Sequence, residues 1–78
     1  AANAPTPDVA TLVRRTVAQV LRYPDVDMNE SFLSLGGDSI RAERAHRVLQ
    51  RALDTRIPLS LMLVASTLAE CAQAIDAL

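Results

Sequence analysis

Lysine and tryptophan are absent from this chain of 78 residues, and cysteine, histidine, tyrosine and phenylalanine occur once each. Each shortage removes a class of function. Cys71 alone can form neither an internal disulfide nor a cysteine-based metal cluster. A lone thiol suits a reducing compartment, so a cytoplasmic location is expected. Without lysine, the phosphate loop G-x-x-x-x-G-K-[ST] of nucleotide hydrolases cannot be written. Tyr23 and Phe32 are the only aromatics, so the core must be aliphatic. A net charge of −1 supplies no basic field for nucleic acid. No apolar run approaches the ~20 residues of a membrane span. The opening "AANAPTPD" has neither the basic start nor the apolar stretch of a signal peptide. Residues 1–6 read as a flexible tail or linker and 7–78 as one domain.

What is present is a helical pattern. Hydrophobic residues make up 50% of the chain, enough for a core. A domain of this size buries only about 60–65% of the surface of its unfolded chain, which leaves little volume for a deep pocket. Thr6-Pro7-Asp8 is a helix start in which Thr6 caps, Pro7 takes the first helical position and Asp8 complements the dipole. Val9, Leu12, Val13, Thr16, Val17, Val20 and Leu21 then recur at helical spacing. That helix ends near Arg22, because Pro24 disfavours helical geometry at Tyr23. From Tyr23 to Asp38 no helical period survives, and in this long connection Val26, Met28, Phe32 and Leu35 are expected to plug the loop onto the helices. A second helix spans Ser39 to Leu53, with Ile40, Ala45, Val48, Leu49, Ala52 and Leu53 on its buried side. Asp54-Thr55 stops it weakly and Pro58 firmly. "LSLMLVAS" (59–66) is apolar nearly all round, which fits a strand or a short helix, and its helical surroundings favour the helix. Thr67-x-x-Glu70 is a capping-box pattern, and Leu68, Cys71, Ala72, Ile75 and Leu78 form the inner stripe of the last helix. The expected fold is all-α: a small four-helix bundle of three amphipathic helices and one short helix, with a long first loop.

Both glycines stand directly before Asp38 and Ser39, in "LSLGGDSI" (33–40). The plainest role is a helix start, in which Gly-Gly supplies unusual backbone angles and Asp38 or Ser39 caps the next helix. A hydrolase nucleophile fits poorly. The G-x-S-x-G turn needs a second glycine where Arg41 stands, and His46 lies about 10 Å from Ser39 along a helix. "DVDMNES" opens like a calcium loop with Asp25, Asp27 and Asn29. Its sixth position is Glu30 instead of glycine and its twelfth is Gly36 instead of glutamate, so a solvated acidic loop is the better account. Modification remains. A hydroxyl at a helix N-terminus, behind two residues without bulk, is easy for an enzyme to approach. A phosphodiester formed there sits at the positive end of the helix dipole, beside unpaired N–H groups. The residues therefore favour a phosphorylated or phosphopantetheinylated Ser39 over a catalytic one, and point to no catalytic residue and no metal site.

These stretches resemble the peptidyl carrier (thiolation) proteins of nonribosomal peptide synthetases, within the phosphopantetheine-binding acyl carrier superfamily. The resemblance runs from about Asp8 to Leu78. "SFLSLGGDSI" is similar to the family's pattern of an apolar Phe pair, Leu, Gly-Gly, Asp or His, and the modified Ser followed by Leu or Ile. "IPLSLMLVASTLAE" resembles the stretch in which Pro-Leu opens the short third helix and Pro-Thr-Leu-Ala-Glu opens the fourth. The resemblance implies an acyl-carrier-like domain over 7–78 in which Ser39, beside Gly37 and Asp38, carries covalent 4′-phosphopantetheine. The thiol of that arm would hold an aminoacyl or peptidyl group as a thioester and present it to partner enzymes in turn, the carrier itself being no enzyme. The implied partners are a phosphopantetheinyl transferase, an adenylating enzyme or domain, and condensation or tailoring enzymes. Neither nucleic acid nor a membrane is among them, and a monomer is expected.

Several positions depart from that pattern. Arg41 stands where an apolar residue is common, whereas Arg44 matches a frequent Arg. His46 replaces a typically aliphatic residue and reads as a surface or edge side chain. Ser66 replaces Pro and is expected to cap equally well. Cys71 replaces Leu and reads as an inert buried thiol. Arg41, Arg44, Arg47 and Arg51 lie along one face of the second helix, against Glu43 alone. Arg47 and Arg51 read as solvated. Arg41 and Arg44 lie within about one turn of Ser39, and one of them is expected to steady the arm's phosphate or to pair with an acidic partner surface. Fatty-acid-type acyl carriers resemble one another in an acidic second helix. The opposite sign here favours a peptidyl or aryl carrier and leaves a polyketide carrier open. Leu59 and Leu61 to Val64 exceed what a one-sided short helix buries, so Leu63 or Val64, with Ile40, is expected on a partner-docking surface. The alternative for Leu63 and Val64 is that they cover the long loop. A reading of a different class is a small helical interaction module using the arginine face.

Overall fold

A computed structural model describes residues 8–78, which form α1 (Val9–Leu21), α2 (Ser39–Leu53), α3 (Ser60–Val64) and α4 (Leu68–Asp76). No strand occurs among the described residues. The expected Thr6-Pro7 helix start lies outside them. Asp8, read from the sequence as a first-turn charge, is the cap itself. Its backbone is extended (φ −68°, ψ 163°) and its Oδ1 accepts the Thr11 N–H at 2.7 Å. The hydrogen bond from Thr11, more than the charge of Arg14, holds the Asp8 carboxyl below its usual range.

α1 and α2 end alike. Arg22 turns left-handed (φ 54°), and the N–H groups of Arg22 and Tyr23 both return to the Ala18 carbonyl. Asp54 (φ 50°) does the same, with its own N–H and that of Thr55 on the Gln50 carbonyl. In both places a side chain occupies a conformation that glycine adopts at less cost.

α1 packs against α2 and α4, and the short α3 bridges α2 and α4. Val13 and Val17 of α1, Ala42, Ala45 and Leu49 of α2, Met62 of α3 and Leu68, Cys71, Ala72 and Ile75 of α4 make the core. Val26, Phe32 and Ile57 close it from the connections, and Met28 and Leu35 pack against it half-buried. The buried stripe of α2 is therefore rotated from the expected one. Ile40 is 68% exposed, Val48 and Ala52 also face solvent, and Leu53 is half-buried. Leu78 lies beyond the end of α4 and is exposed, so the inner stripe of that helix stops at Ile75.

The connection from α2 to α3 is clamped at buried Ile57. Its N–H donates to Gln50 Oε1 at 2.8 Å, and its carbonyl accepts from His46 Nε2. His46 is thus a half-buried strap between α2 and this connection, not a free surface side chain. Before α4, Thr67 Oγ1 accepts the Glu70 N–H at 3.1 Å, as the capping pattern requires. Ser66 is not the cap. Its backbone N–H, which a proline would lack, donates to Glu70 Oε2 at 3.2 Å.

Candidate functional site

The segment leading to Ser39 is a single helical turn that stops sharply. Ser31 and Ser34 close it reciprocally: each backbone N–H donates to the other's Oγ, at 3.1 and 3.0 Å, and Ser34 Oγ donates to Glu30 at 2.9 Å. The turn ends at Gly36 (φ 98°), where the Gly36 N–H returns to the Leu33 carbonyl at 3.1 Å and the Gly37 N–H to the Phe32 carbonyl at 3.0 Å. This is a Schellman closure, and its left-handed residue is a glycine because a Cβ there is disfavoured.

Gly37 is glycine for another reason. A Cβ on it would fall inside van der Waals contact with the Phe32 ring and 2.7 Å from the Phe32 carbonyl oxygen. The sequence suggested that both glycines leave clearance for a modifying enzyme. Only Gly36 does so, with nothing within 4 Å of where its Cβ would stand. The space at Gly37 belongs to Phe32, which is 2% exposed.

The turn also stands on α4. The carbonyls of Glu30 and Met28 accept the N–H groups of Leu68 and Ala69 at 2.8 and 2.9 Å. Those donors belong to the first turn of α4 and have no acceptor within their own helix. One set of bonds therefore fixes the long connection and completes the start of α4.

Asp38 caps α2. Its backbone is extended (φ −134°, ψ −175°), and Oδ1 accepts the Arg41 N–H at 2.8 Å. Its other oxygen accepts from the Arg41 guanidinium at 3.0 Å. Both side chains are about half exposed, so this ion pair is worth at most about 1 kcal/mol. Arg41, expected to hold a phosphate, is occupied by Asp38.

Ser39 follows the cap as the first residue of α2 and is exposed. Its hydroxyl enters no side-chain hydrogen bond among the described residues, and the N–H groups of Ser39 and Ile40 have no acceptor there. His46 is turned to Ile57 and supplies no base. An exposed hydroxyl with open N–H donors at the positive end of a helix is suited to bearing a phosphodiester. The remaining predicted residues divide. Ile40 is exposed beside Ser39, and Val64 is 76% exposed on α3, whereas Leu63 is half-buried against the core. The expected line of four arginines also splits: Arg41 turns to Asp38, while Arg44, Arg47 and Arg51 border a groove against α1. The contribution of Arg22 to that groove was not read from the sequence, because Arg22 lies past the end of α1, outside its helical pattern.

No curated protein and no solved structure matches the chain. Its sequence does match the phosphopantetheine attachment site family over residues 11–75, a span that holds most of α1, the glycine-closed turn, Ser39 and nearly all of α4. A helical bundle of this architecture, matched over this much of its length, belongs to the phosphopantetheine attachment site family, carrier domains whose covalently attached group is 4′-phosphopantetheine.

Proposed function

We propose that Ser39 is the attachment residue and that this domain is a peptidyl carrier of a nonribosomal, natural-product pathway in the cytoplasm. The observation that carries the first part is the exposed, unpartnered Ser39 hydroxyl at the capped start of α2. Asp38 fixes the helix start and so the position of Ser39. Gly36 keeps the approach open, and the unpaired N–H groups of Ser39 and Ile40 favour an anion there. When bound, 4′-phosphopantetheine supplies a terminal thiol on which cargo is held as a thioester. A phosphopantetheinyl transferase installs it, an adenylating enzyme or domain loads it, and condensation or tailoring enzymes receive the cargo. Ile40 and Val64, both exposed, provide the apolar part of the surface these enzymes read, with Leu63 half-buried behind them. The peptidyl assignment is supported by Gly-Gly before Asp38-Ser39 and by a second helix that carries four arginines against one glutamate.

The test is the intact mass after incubation with coenzyme A, magnesium and a broad-specificity phosphopantetheinyl transferase. One phosphopantetheine is expected on the wild-type chain and none on Ser39→Ala. An unmodified wild-type chain, or an adduct that persists in Ser39→Ala, contradicts the assignment of Ser39. Loading of the modified chain by an aminoacyl-adenylating enzyme, and not by a malonyl-transferring one, separates a peptidyl from a polyketide carrier.

A further inference from the structure

A groove of about 680 Å3 runs between the C-terminal half of α1 and α2, open to solvent. Val20, Val48 and Ala52 supply its apolar surface, and Arg22, Arg44, Arg47 and Arg51 supply its charge. Arg47 is paired with Glu43 at 2.8 Å. No carboxylate lies within ion-pairing distance of Arg22, Arg44 or Arg51 among the described residues. Three uncompensated guanidinium groups around an apolar strip, on a chain of net charge −1, form a local feature and not a consequence of overall composition. Along α2, Arg44 stands about 8 Å from Ser39 and Arg51 about 18 Å, so the groove begins near the attachment residue and runs away from it.

We infer that this groove docks an acidic amphipathic helix of a partner protein. Charge complementarity selects the acid, and Val20, Val48 and Ala52 select an apolar edge beside it. Arg44, Arg47 and Arg51 follow a spacing of three then four residues and span about 10 Å. A helix with glutamates at the same spacing presents carboxylates over the same length. The slot between two helices accepts a third at the usual packing distance of about 8–10 Å. No aromatic side chain lines the groove to stack a base, which disfavours RNA as the occupant. The site recruits a partner without using the arm.

The probe is a synthetic end-blocked helical peptide with glutamates on one flank and leucines on the other. It is titrated into the 15N-labelled full chain carrying Ser39→Ala, so the result does not depend on modification. Saturable amide shifts centred on Gln19, Arg22, Val48 and Arg51 are expected, weakening as salt is raised. Arg22→Glu with Arg51→Glu, checked by circular dichroism to be folded, should weaken binding about tenfold or more. Val48→Ser, which removes apolar surface without adding charge, should weaken it to a similar extent at low and high salt. Absent or non-saturating shifts, shifts centred on α3, or tighter binding of a single-stranded RNA oligonucleotide in the same groove would each overturn the inference.

Discussion

The Phe32 ring fills the space in which Gly37 would carry a side chain. Phe32 is the only aromatic residue in the core, and it sits against the glycine directly before the Asp38 cap of α2. Gly37→Ala should therefore destabilise the domain by about 1–3 kcal/mol through overpacking. Gly36→Ala should cost about 1–2 kcal/mol through its positive φ. Urea denaturation of the combinations with Phe32→Leu distinguishes the two causes. The Gly37→Ala and Phe32→Leu pair should cost less than the sum of its parts, while Gly36→Ala and Phe32→Leu should add. Additivity in the first pair would show that Phe32 is not what requires a glycine at 37.

Asp38 serves α2 first as a cap and only second as an ion-pair partner. Asp38→Ala should cost about 1 kcal/mol of stability. Asp38→Asn keeps an acceptor for the Arg41 N–H and should lose less. Arg41→Ala, which removes only the exposed pair, should change stability by no more than about 1 kcal/mol. Equal losses for Asp38→Asn and Asp38→Ala in denaturant titrations would reverse this order.

The clamp on Ile57 is a further point of fragility. Gln50→Leu leaves the buried Ile57 N–H without its acceptor, and His46→Leu leaves the carbonyl without its donor. Each should cost about 1–3 kcal/mol, the usual penalty for an orphaned buried polar group. Thermal unfolding of both variants measures it. A His46→Leu protein as stable as wild type would show that the strap contributes nothing.

The four-helix architecture was legible because α1 and α4 carry large apolar residues at helical spacing, and because Asp38 and Thr67 stand where helix starts need acceptors. The inner face of α2 was not. There Ala42 and Ala45 are buried while the larger Ile40 and Val48 are exposed. Reading by residue size rotates the helix, since packing against neighbours decides which side faces in. The exposed start of α2 at Ser39 was legible from the Gly-Gly-Asp that precedes it. The reason for Gly37, the bonds from Met28 and Glu30 to α4, and the contribution of Arg22 to the groove rest on contacts between distant segments. No local pattern encodes them.

Cys71 makes the stability dependent on alkaline pH. Burial pushes its thiol up from 9.0 to about 11. In the unfolded chain the thiol ionises near its ordinary value, so between the two values unfolding releases a proton. Stability should be insensitive to this group below pH 9, fall as pH rises from there to about 11, and level off beyond. The difference between wild type and Cys71→Ala across that range isolates the effect from other titrations. At neutral pH the folded protein should resist iodoacetamide and the urea-unfolded chain should react. Rapid alkylation of the native chain would contradict the buried position of Cys71.

The central claim is that Ser39 is the serine that receives the arm. Peptide-level mass spectrometry of the transferase-treated chain tests it most directly, because Ser31, Ser34, Ser60 and Ser66 are competing acceptors in the same molecule. The adduct is expected on Ser39 alone, with the other serines unmodified even after prolonged reaction. An adduct mapped to Ser34 or Ser60, or none on any serine, would contradict the account.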